Sequence, residues 1–171
     1  MLNIRRLYLL RHAKSSRDLP TPPDHDRPLA PRGERAATRI ARHIREEGIR
    51  PDLILCSSSL RTRQTLELLA ASFGQETEIK VERALYEAPA AGILERLRRT
   101  PDEDVSVMVI GHNPGLQDLA LMLADRGERL PMLREKFPTG GLATIEFKGG
   151  WADLAEGSAT VTAYVVPRQM S

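Results

Sequence analysis

The chain is poor in the residues that build disulfide frameworks, thiolate metal sites and aromatic stacking surfaces. Its 171 residues include one cysteine, Cys56, one tryptophan and 4% aromatic residues in total. A single cysteine excludes an internal disulfide, which fits a reducing compartment. One cysteine and four histidines at these spacings form no zinc cluster, and the sequence has no acidic metal-binding motif. We therefore expect neither a metal nor a cofactor.

Long apolar runs and a strong net charge are also lacking. The apolar run Leu7 to Leu10 is too short for a signal peptide or a membrane span, so we expect a cytoplasmic protein without a membrane partner. The net charge of +2 and the few aromatics argue against the alternative of nucleic-acid binding through the arginine-rich segment 31–48. The length predicts one domain, residues 1–171, which we expect to be a monomer.

Apolar strand patterns alternate with amphipathic helix patterns along the chain. Strands are predicted at 4–10, 52–56, 77–82, 105–110, 142–147 and 159–166, and helices at 31–48, 58–73, 89–99 and 114–125. In the first helix Ala36, Ile40 and Ile44 share the buried face, and the arginines opposite are solvated. This alternation predicts an α/β fold, a three-layer α/β/α sandwich with a mostly parallel central sheet.

Residues suited to anion binding follow three of the predicted strands. Arg11 and His12 end the first strand pattern, and His112 follows the strand at 105–110. Arg61 falls in the first turn of the helix after the second strand, with Ser57 just before that helix. Ligands bind at the carboxyl ends of strands in such sheets, so these side chains are expected to converge. Paired guanidinium donors and a helix N-terminus both suit a phosphoryl group.

A histidine in such a pocket is a candidate nucleophile. One ring nitrogen attacks phosphorus, while the other keeps its proton and is held by an acceptor that fixes the tautomer. Phosphoryl transfer depends mainly on positioning and charge stabilisation. Two arginines and a second histidine supply that charge without a metal.

Three segments resemble motifs of the histidine phosphatase superfamily, which has the phosphoglycerate mutase-like fold. Arg11-His12-Ala13 resembles its Arg-His-Gly signature. Residues 57–65 resemble the second motif, in which an arginine is followed by x-x-Gln-Thr. Residues 111–115 resemble the motif that carries the second catalytic histidine. The three motifs occur in the order typical of the superfamily.

Within the superfamily the chain is most similar to the short phosphohistidine phosphatases of the SixA type. The compact length, the RHAKSS start and residues 136–147 resemble that branch. The resemblance implies that His12 is the phospho-accepting nucleophile. It also implies that Arg11, Arg61 and His112 complete the phosphate pocket.

Some positions depart from the superfamily pattern. Ala13 replaces the usual glycine, and Asp18 stands where many mutases carry a phosphate-binding asparagine. The role of the loop 17–28 therefore stays open, including whether it closes over the site. The superfamily often supplies a general acid after the third strand, and Glu87 is the candidate here, with an ordinary surface charge as the alternative. Ser57 is expected to donate to phosphate, to cap its helix, or both.

The pattern as a whole predicts a metal-independent phosphatase that acts through a phosphohistidine intermediate. The expected substrate is phosphohistidine on a protein partner, such as a phosphotransfer domain. The alternatives are the same chemistry on a small metabolite (a sugar phosphate or nucleotide) and a non-catalytic phosphate-binding module. A phosphoramidate needs less protonation of its leaving group than a sugar alkoxide, so Glu87 bears on the first choice. His25 and His43 are expected to face solvent.

Overall fold

The computed structural model describes residues 3–170. The strands are β1 (Ile4–Arg11), β2 (Leu53–Ser57), β3 (Glu78–Glu82), β4 (Ser106–Gly111), β5 (Ala124–Arg126), β6 (Leu142–Lys148) and β7 (Ala159–Val165). The helices are α1 (Pro31–Glu46), α2 (Leu60–Leu69), α3 (Ala90–Arg98), α4 (Gly115–Leu123) and α5 (Leu130–Glu135). Among residues 3–170, no helix is long and apolar enough to cross a membrane.

All seven strands form one sheet in the order β3-β2-β4-β1-β6-β7-β5. The first four strands of this order are parallel to one another, and β6 runs antiparallel to both of its neighbours. One apolar cluster joins the sheet to α3, α4 and α5, and a second joins the opposite face to α1 and α2. The predicted three-layer α/β/α architecture with a mostly parallel sheet is therefore confirmed.

Strand β1 shows how the sequence pattern produces the two layers. Leu7 and Leu9 belong to the cluster on one face, while Tyr8 and Leu10 belong to the cluster on the other. All four residues are buried because side chains alternate across a strand and helices cover both faces. Burying each leucine side chain contributes about 1.5 to 3 kcal/mol. This burial fixes β1, and therefore the loop that follows it, in the middle of the sheet.

Several predicted boundaries were wrong by a few residues. The second helix was predicted over 58–73, but α2 ends at Leu69 and a single 3-10 turn, Ala70–Ser72, continues it. Its N-cap is Ser59, whose side chain accepts a hydrogen bond from the backbone of Thr62, so Ser57 is not the cap. In α1 the fully buried alanine is Ala37 rather than Ala36, although Ile40 and Ile44 are buried as predicted.

Two short elements were not predicted. Strand β5 has three residues and α5 has six, so neither is long enough to show a periodic pattern. Helix α4 was expected to begin at Pro114, but Pro114 is its N-cap and the helix begins at Gly115. Strand β3 lies at the edge of the sheet with mostly exposed side chains, which explains its weak apolar signal.

Candidate active site

The first and third motifs meet because β1 and β4 are adjacent parallel strands in register. Arg11 is paired with Gly111, so His12 and His112 each follow a paired residue at the same edge of the sheet. The amide of His12 donates to the Gly111 carbonyl at 3.1 Å. The two imidazole rings lie 5.4 Å apart between centroids, with an interplanar angle of 55°. The sheet therefore places both histidines in one pocket at its carboxyl edge.

His12 is held in one tautomer by its own loop. Its Nδ1 lies 2.7 Å from the Ala13 carbonyl oxygen. A carbonyl oxygen only accepts, so Nδ1 carries the proton and Nε2 keeps its lone pair. Burial, with smaller contributions from His112, Arg61 and Arg11, lowers the pKa of His12 from 6.5 to about 3 despite the opposing hydrogen bond to Ala13. His12 is therefore a neutral imidazole near neutral pH, with Nε2 available as a nucleophile.

His112 is held between Ser57 and Arg61. Its Nε2 lies 2.7 Å from Oγ of Ser57, which is fully buried, and Arg61 Nη2 lies 3.4 Å from its Nδ1. A guanidinium only donates, so Nδ1 holds the lone pair and Nε2 donates to the serine oxygen. Burial, followed by the charge of Arg61, lowers the pKa of His112 from 6.5 to about 4. Ser57 thus orients the second histidine, a contact that the sequence did not indicate.

The two arginines bring their guanidiniums to the same pocket. Arg11 Nη1 donates to the Phe137 carbonyl at 3.0 Å, and burial together with the charge of Arg61 lowers the pKa of Arg11. The Nε atoms of Arg11 and Arg61 are buried and donate to no acceptor among residues 3–170. The two guanidiniums supply planar, paired N–H donors of the kind that suit phosphoryl oxygens.

The loop 17–28 lies against the site through the 3-10 turn Asp24–Asp26. Arg61 donates through Nη1 to the Asp24 carbonyl at 2.8 Å and through Nη2 to Asp24 Oδ2 at 3.1 Å. The Tyr86 hydroxyl and Arg27 also donate to this carboxylate. The hydrogen bond from Tyr86, followed by those from Arg27 and Arg61, holds the pKa of Asp24 well below its usual range despite partial desolvation. The guanidinium of Arg61 is therefore already hydrogen-bonded to an ionised carboxylate, that of Asp24.

The structure places two residues of this loop, His25 and Asp18. His25 was expected to face solvent, but its Nε2 lies 2.8 Å from Ser58 Oγ and its ring meets Tyr86 edge-on at 4.8 Å. Asp18 is exposed, and its backbone amide donates to Ser16 Oγ. The acid that reaches the pocket is thus Asp24, whose position in a Pro- and Asp-rich loop gave no signal of its role.

After β3, the chain brings Tyr86 rather than Glu87 into contact with the other site residues. The Tyr86 ring lies 5.5 Å from the His112 ring in an edge-on arrangement, and Arg61 lies 6.0 Å from its centroid. Glu87 is exposed with a φ of 53°, and it forms no hydrogen bond or ion pair with any residue between 3 and 170. The structure therefore gives Glu87 no hydrogen bond to His12, His112 or the arginines, and its role as general acid stays a prediction.

Hydrogen bonds to α2 and to the start of α1 hold the loop that carries His12. The Ala13 amide donates to Thr65 Oγ1 at 3.1 Å, and the Ala30 amide donates to the Lys14 carbonyl at 2.9 Å. A Cβ atom on Gly33 would lie 2.0 Å from that same carbonyl oxygen, so only glycine lets α1 approach this closely.

Metal ligands are not gathered near these residues. Within the described part of the chain, residues 3–170, no group of three or more His, Cys, Asp or Glu side chains is placed to hold a metal ion. The positive charge of the pocket is instead supplied by Arg11 and Arg61. Two neutral histidines, two guanidiniums and one ionised carboxylate thus define its chemistry.

Comparison with known proteins agrees with this geometry. The profile of the Histidine phosphatase superfamily (branch 1) matches residues 7–104. An uncharacterized protein of Mycobacterium tuberculosis (strain H37Rv) is 36% identical over 163 residues, covering 93% of this chain and 100% of that protein. The profile match includes the loop of His12 and the start of α2.

Solved structures extend the similarity to the whole fold. A candidate phosphohistidine phosphatase SixA from Nakamurella multipartitia superposes with a TM-score of 0.82 at 31% identity, covering 96% of each chain. A candidate SixA from Agrobacterium tumefaciens gives a TM-score of 0.78 at 31% identity, covering 95% of this chain and 99% of that one. The chain therefore belongs to the histidine phosphatase superfamily and is a phosphatase with a SixA-like, phosphoglycerate mutase-like fold.

Proposed function

We propose that this phosphatase hydrolyses phosphohistidine on a partner protein, such as a phosphotransfer domain, and that residues 1–171 act as one metal-independent domain. The observation that carries the proposal is the protonation state of the carboxyl group in the pocket. Asp24 is ionised beside Arg61, and Glu87 is exposed and forms no hydrogen bond or ion pair with the other site residues. A departing alkoxide needs a proton from an acid, whereas a protonated imidazole leaves phosphorus readily.

The nucleophile is Nε2 of His12. It attacks phosphorus to form an Nε2–P bond, and the P–N bond to the substrate histidine breaks. The substrate imidazole takes the bonding electron pair and leaves neutral, because its other nitrogen keeps the proton that it carried. Water then attacks phosphorus, the Nε2–P bond breaks, and inorganic phosphate is released with a proton to solvent. The hydrogen bond from Nδ1 to Ala13 keeps Nε2 unprotonated for the first step and again after the second.

The remaining site residues bind the phosphoryl oxygens and stabilise the developing charge. The guanidiniums of Arg11 and Arg61 supply N–H donors, and their buried Nε atoms have no acceptor among residues 3–170. His112 presents Nδ1 beside Arg61, and a bound phosphoryl group favours protonation there, which turns Nδ1 into a donor. Ser57 acts through His112, by fixing the orientation of its ring. In this scheme Glu87 is dispensable.

The likeness to SixA proteins supports the choice of substrate. Two solved SixA structures described as candidate phosphohistidine phosphatases share 31% identity with this chain over nearly its whole length. The RHAKSS segment and the absence of a long insertion between the motifs add sequence support for the same branch. A pocket that receives a side chain from another protein needs an open approach, and half of the Asp24 carboxylate side chain at its mouth remains accessible.

The proposal is tested by measuring kcat/KM for a phosphohistidine protein and for phosphoramidate beside a panel of phosphomonoesters. We expect a clear preference for the P–N substrates in wild type. The His12→Ala variant serves as the control and is expected to lose turnover on every substrate, with partial retention of phosphate or vanadate binding. Addition of EDTA is expected to leave the rate unchanged.

Other outcomes would assign the site differently. A preference for one phosphomonoester would make the protein a metabolite phosphatase and Glu87 the leading acid. Phosphate binding without turnover on any substrate would favour a phosphate-binding module. Strong inhibition by EDTA would contradict the metal-independent mechanism.

A further inference from the structure

A second, strongly cationic cavity lies beside the catalytic pocket. It has a volume of about 420 Å³ and lies between α1, the segment that leads from α5 to β6, and the C-terminal turn. Lys14, two residues after His12, forms part of its wall, as does Thr139. The next residue, Gly140, donates its amide to the carbonyl oxygens of both Arg11 and His12 at 3.0 Å. One stretch of backbone therefore separates the cavity from the nucleophile, although neither catalytic histidine lines it.

The residues that line this cavity carry more positive charge than the whole chain does. Six of its lining residues are cationic, Lys14, Arg32, Arg35, Arg39, Lys136 and Arg168, and all six are exposed. One lining residue, Glu135, is acidic. The whole chain carries only +2, so the rest of the molecule is net negative. Positive charge is thus concentrated at this one concave surface.

The six cations are also unpaired. None forms an ion pair or a side-chain hydrogen bond with a residue between 3 and 170. Arg32, Arg35 and Arg39 follow one another at spacings of three and four residues on α1, where like charges repel across the helix surface. Folding alone gives no reason to gather these side chains around a cavity, because each would be better placed beside a carboxylate.

Another, larger cavity, between α1 and the β6–β7 side of the sheet, differs in its charge. Its cationic residues alternate with carboxylates, and Arg6 in its wall is paired with Glu146 at 2.7 Å. In that cavity three arginines, Arg6, Arg126 and Arg129, are accompanied by three glutamates, Glu47, Glu128 and Glu146. The cavity beside His12 has six cationic residues and one carboxylate, so its charges are not balanced in this way.

The shape and lining indicate the class of ligand. A volume of this size is in the range of small-molecule sites, and guanidiniums suit phosphate oxygens as paired donors. Apolar surface between the cations comes from Ala36, Met132, Pro138, Val166 and Pro167. We propose that the cavity binds a small-molecule polyanion, with two or more phosphate groups held by the arginines of α1 and an apolar portion against the prolines.

The experiment titrates the full chain with inorganic tripolyphosphate by isothermal calorimetry. The variant Arg35→Gln/Arg39→Gln removes two cations from the cavity. The matched control, Arg50→Gln/Arg99→Gln, removes two exposed arginines from surfaces that do not line it and changes the net charge equally. We expect the cavity variant to lose affinity by about tenfold or more and the control to stay within about twofold. The affinity of wild type is expected to fall as salt rises.

The cavity and the proposed catalytic function are tested separately by the same proteins. Both double variants are expected to hydrolyse phosphoramidate at rates within about twofold of wild type, because neither change touches a residue of the catalytic pocket. Equal tripolyphosphate affinity in all three proteins would overturn the cavity site, since binding would then lie in the catalytic pocket. Binding of a hexaglutamate peptide in place of tripolyphosphate would overturn it in favour of a docking surface for acidic proteins.

Discussion

Arg61 and Asp24, 37 residues apart in sequence, form a bidentate contact at the mouth of the catalytic pocket. The guanidinium donates to the backbone carbonyl at 2.8 Å and to the carboxylate at 3.1 Å. Tyr86 donates to the same carboxylate, so a negatively charged group already lies beside the guanidinium that we propose to bind the phosphoryl group. In the proposed mechanism Asp24 therefore competes with the incoming phosphoryl group for Arg61, and it also holds the guanidinium in place.

Removing the charge of Asp24 is expected to strengthen oxyanion binding. In Asp24→Asn the repulsion between the carboxylate and a bound oxyanion disappears, while the backbone carbonyl still holds Arg61. The Asp24 side chain is 45% exposed, so screening limits the gain in tungstate or phosphate affinity to about two- to fivefold. Asp26→Asn, in the same turn, removes one charge as the control. Weaker binding in Asp24→Asn would show that positioning of Arg61 outweighs the competition.

Replacing the nucleophile is expected to abolish the covalent intermediate. His12→Ala should lower kcat by about 1000-fold or more, because the variant lacks the nitrogen that forms the bond to phosphorus. Rapid quenching of wild type after mixing with a radiolabelled P–N substrate should trap acid-labile, alkali-stable phosphoenzyme. Labelled phosphoenzyme of the same yield in His12→Ala would place the nucleophile elsewhere.

The contact between Ser57 and His112 is expected to matter for turnover more than for binding. In Ser57→Ala the ring of His112 loses the partner of its Nε2, and its Nδ1 is no longer fixed beside Arg61. We expect kcat to fall on the order of 10- to 100-fold, with KM and phosphate inhibition nearly unchanged.

The control for this variant is Ser158→Ala, which removes a serine that bonds Ala155 in a distant exposed turn. If kcat of Ser57→Ala equals that of the control, Ser57 does not position His112. A variant that loses stability and kcat together would show a packing role, so thermal unfolding is measured alongside.

Glu87→Gln distinguishes the two substrate classes. Because Glu87 is exposed and Asp24 is ionised, the variant should hydrolyse phosphoramidate within about twofold of the wild-type rate. The comparison is made with one phosphomonoester, on which any acid catalysis by Glu87 would show as a lower kcat. A large loss on the P–N substrate would assign Glu87 a catalytic role and contradict the proposed leaving-group chemistry.

The buried histidines are expected to make the fold less stable in acid. Burial lowers the pKa of His12 to about 3 and of His112 to about 4, whereas both titrate near 6.5 once unfolded. The unfolded chain therefore binds more protons between these values, so their contribution to stability is fully present above about pH 6.5 and is lost as the pH falls toward 3.

Urea unfolding at about pH 7, 6 and 5 measures this dependence. The free energy of unfolding of wild type should decrease over this interval, before Asp24, whose pKa is also lowered, begins to contribute. In His12→Ala the decrease should be smaller, since one of the two groups is gone. An unfolding free energy that rises on acidification would contradict the buried neutral state of these histidines.

The sequence by itself determined the layered fold and the residues that end its central strands. Strands such as β4 are apolar at nearly every position because both faces are covered, and that pattern is visible without coordinates. The order of Arg11-His12, Arg61 and His112 after separate strands then predicts their meeting, since parallel strands end at one edge. Short elements such as β5 were not predicted, because three residues are too few to show a periodic pattern of apolar side chains.

Only the tertiary structure decided which other side chains complete the pocket. Asp24 meets Tyr86 across 62 residues of sequence, and Ser57 meets His112 across 55, so no local pattern links either pair. Glu87 and Tyr86 are neighbours in sequence, and only the positive φ at Glu87 and the packing of the turn separate their environments. The fold follows from periodic burial that each segment carries alone, whereas these contacts depend on how distant loops pack at the edge of the sheet.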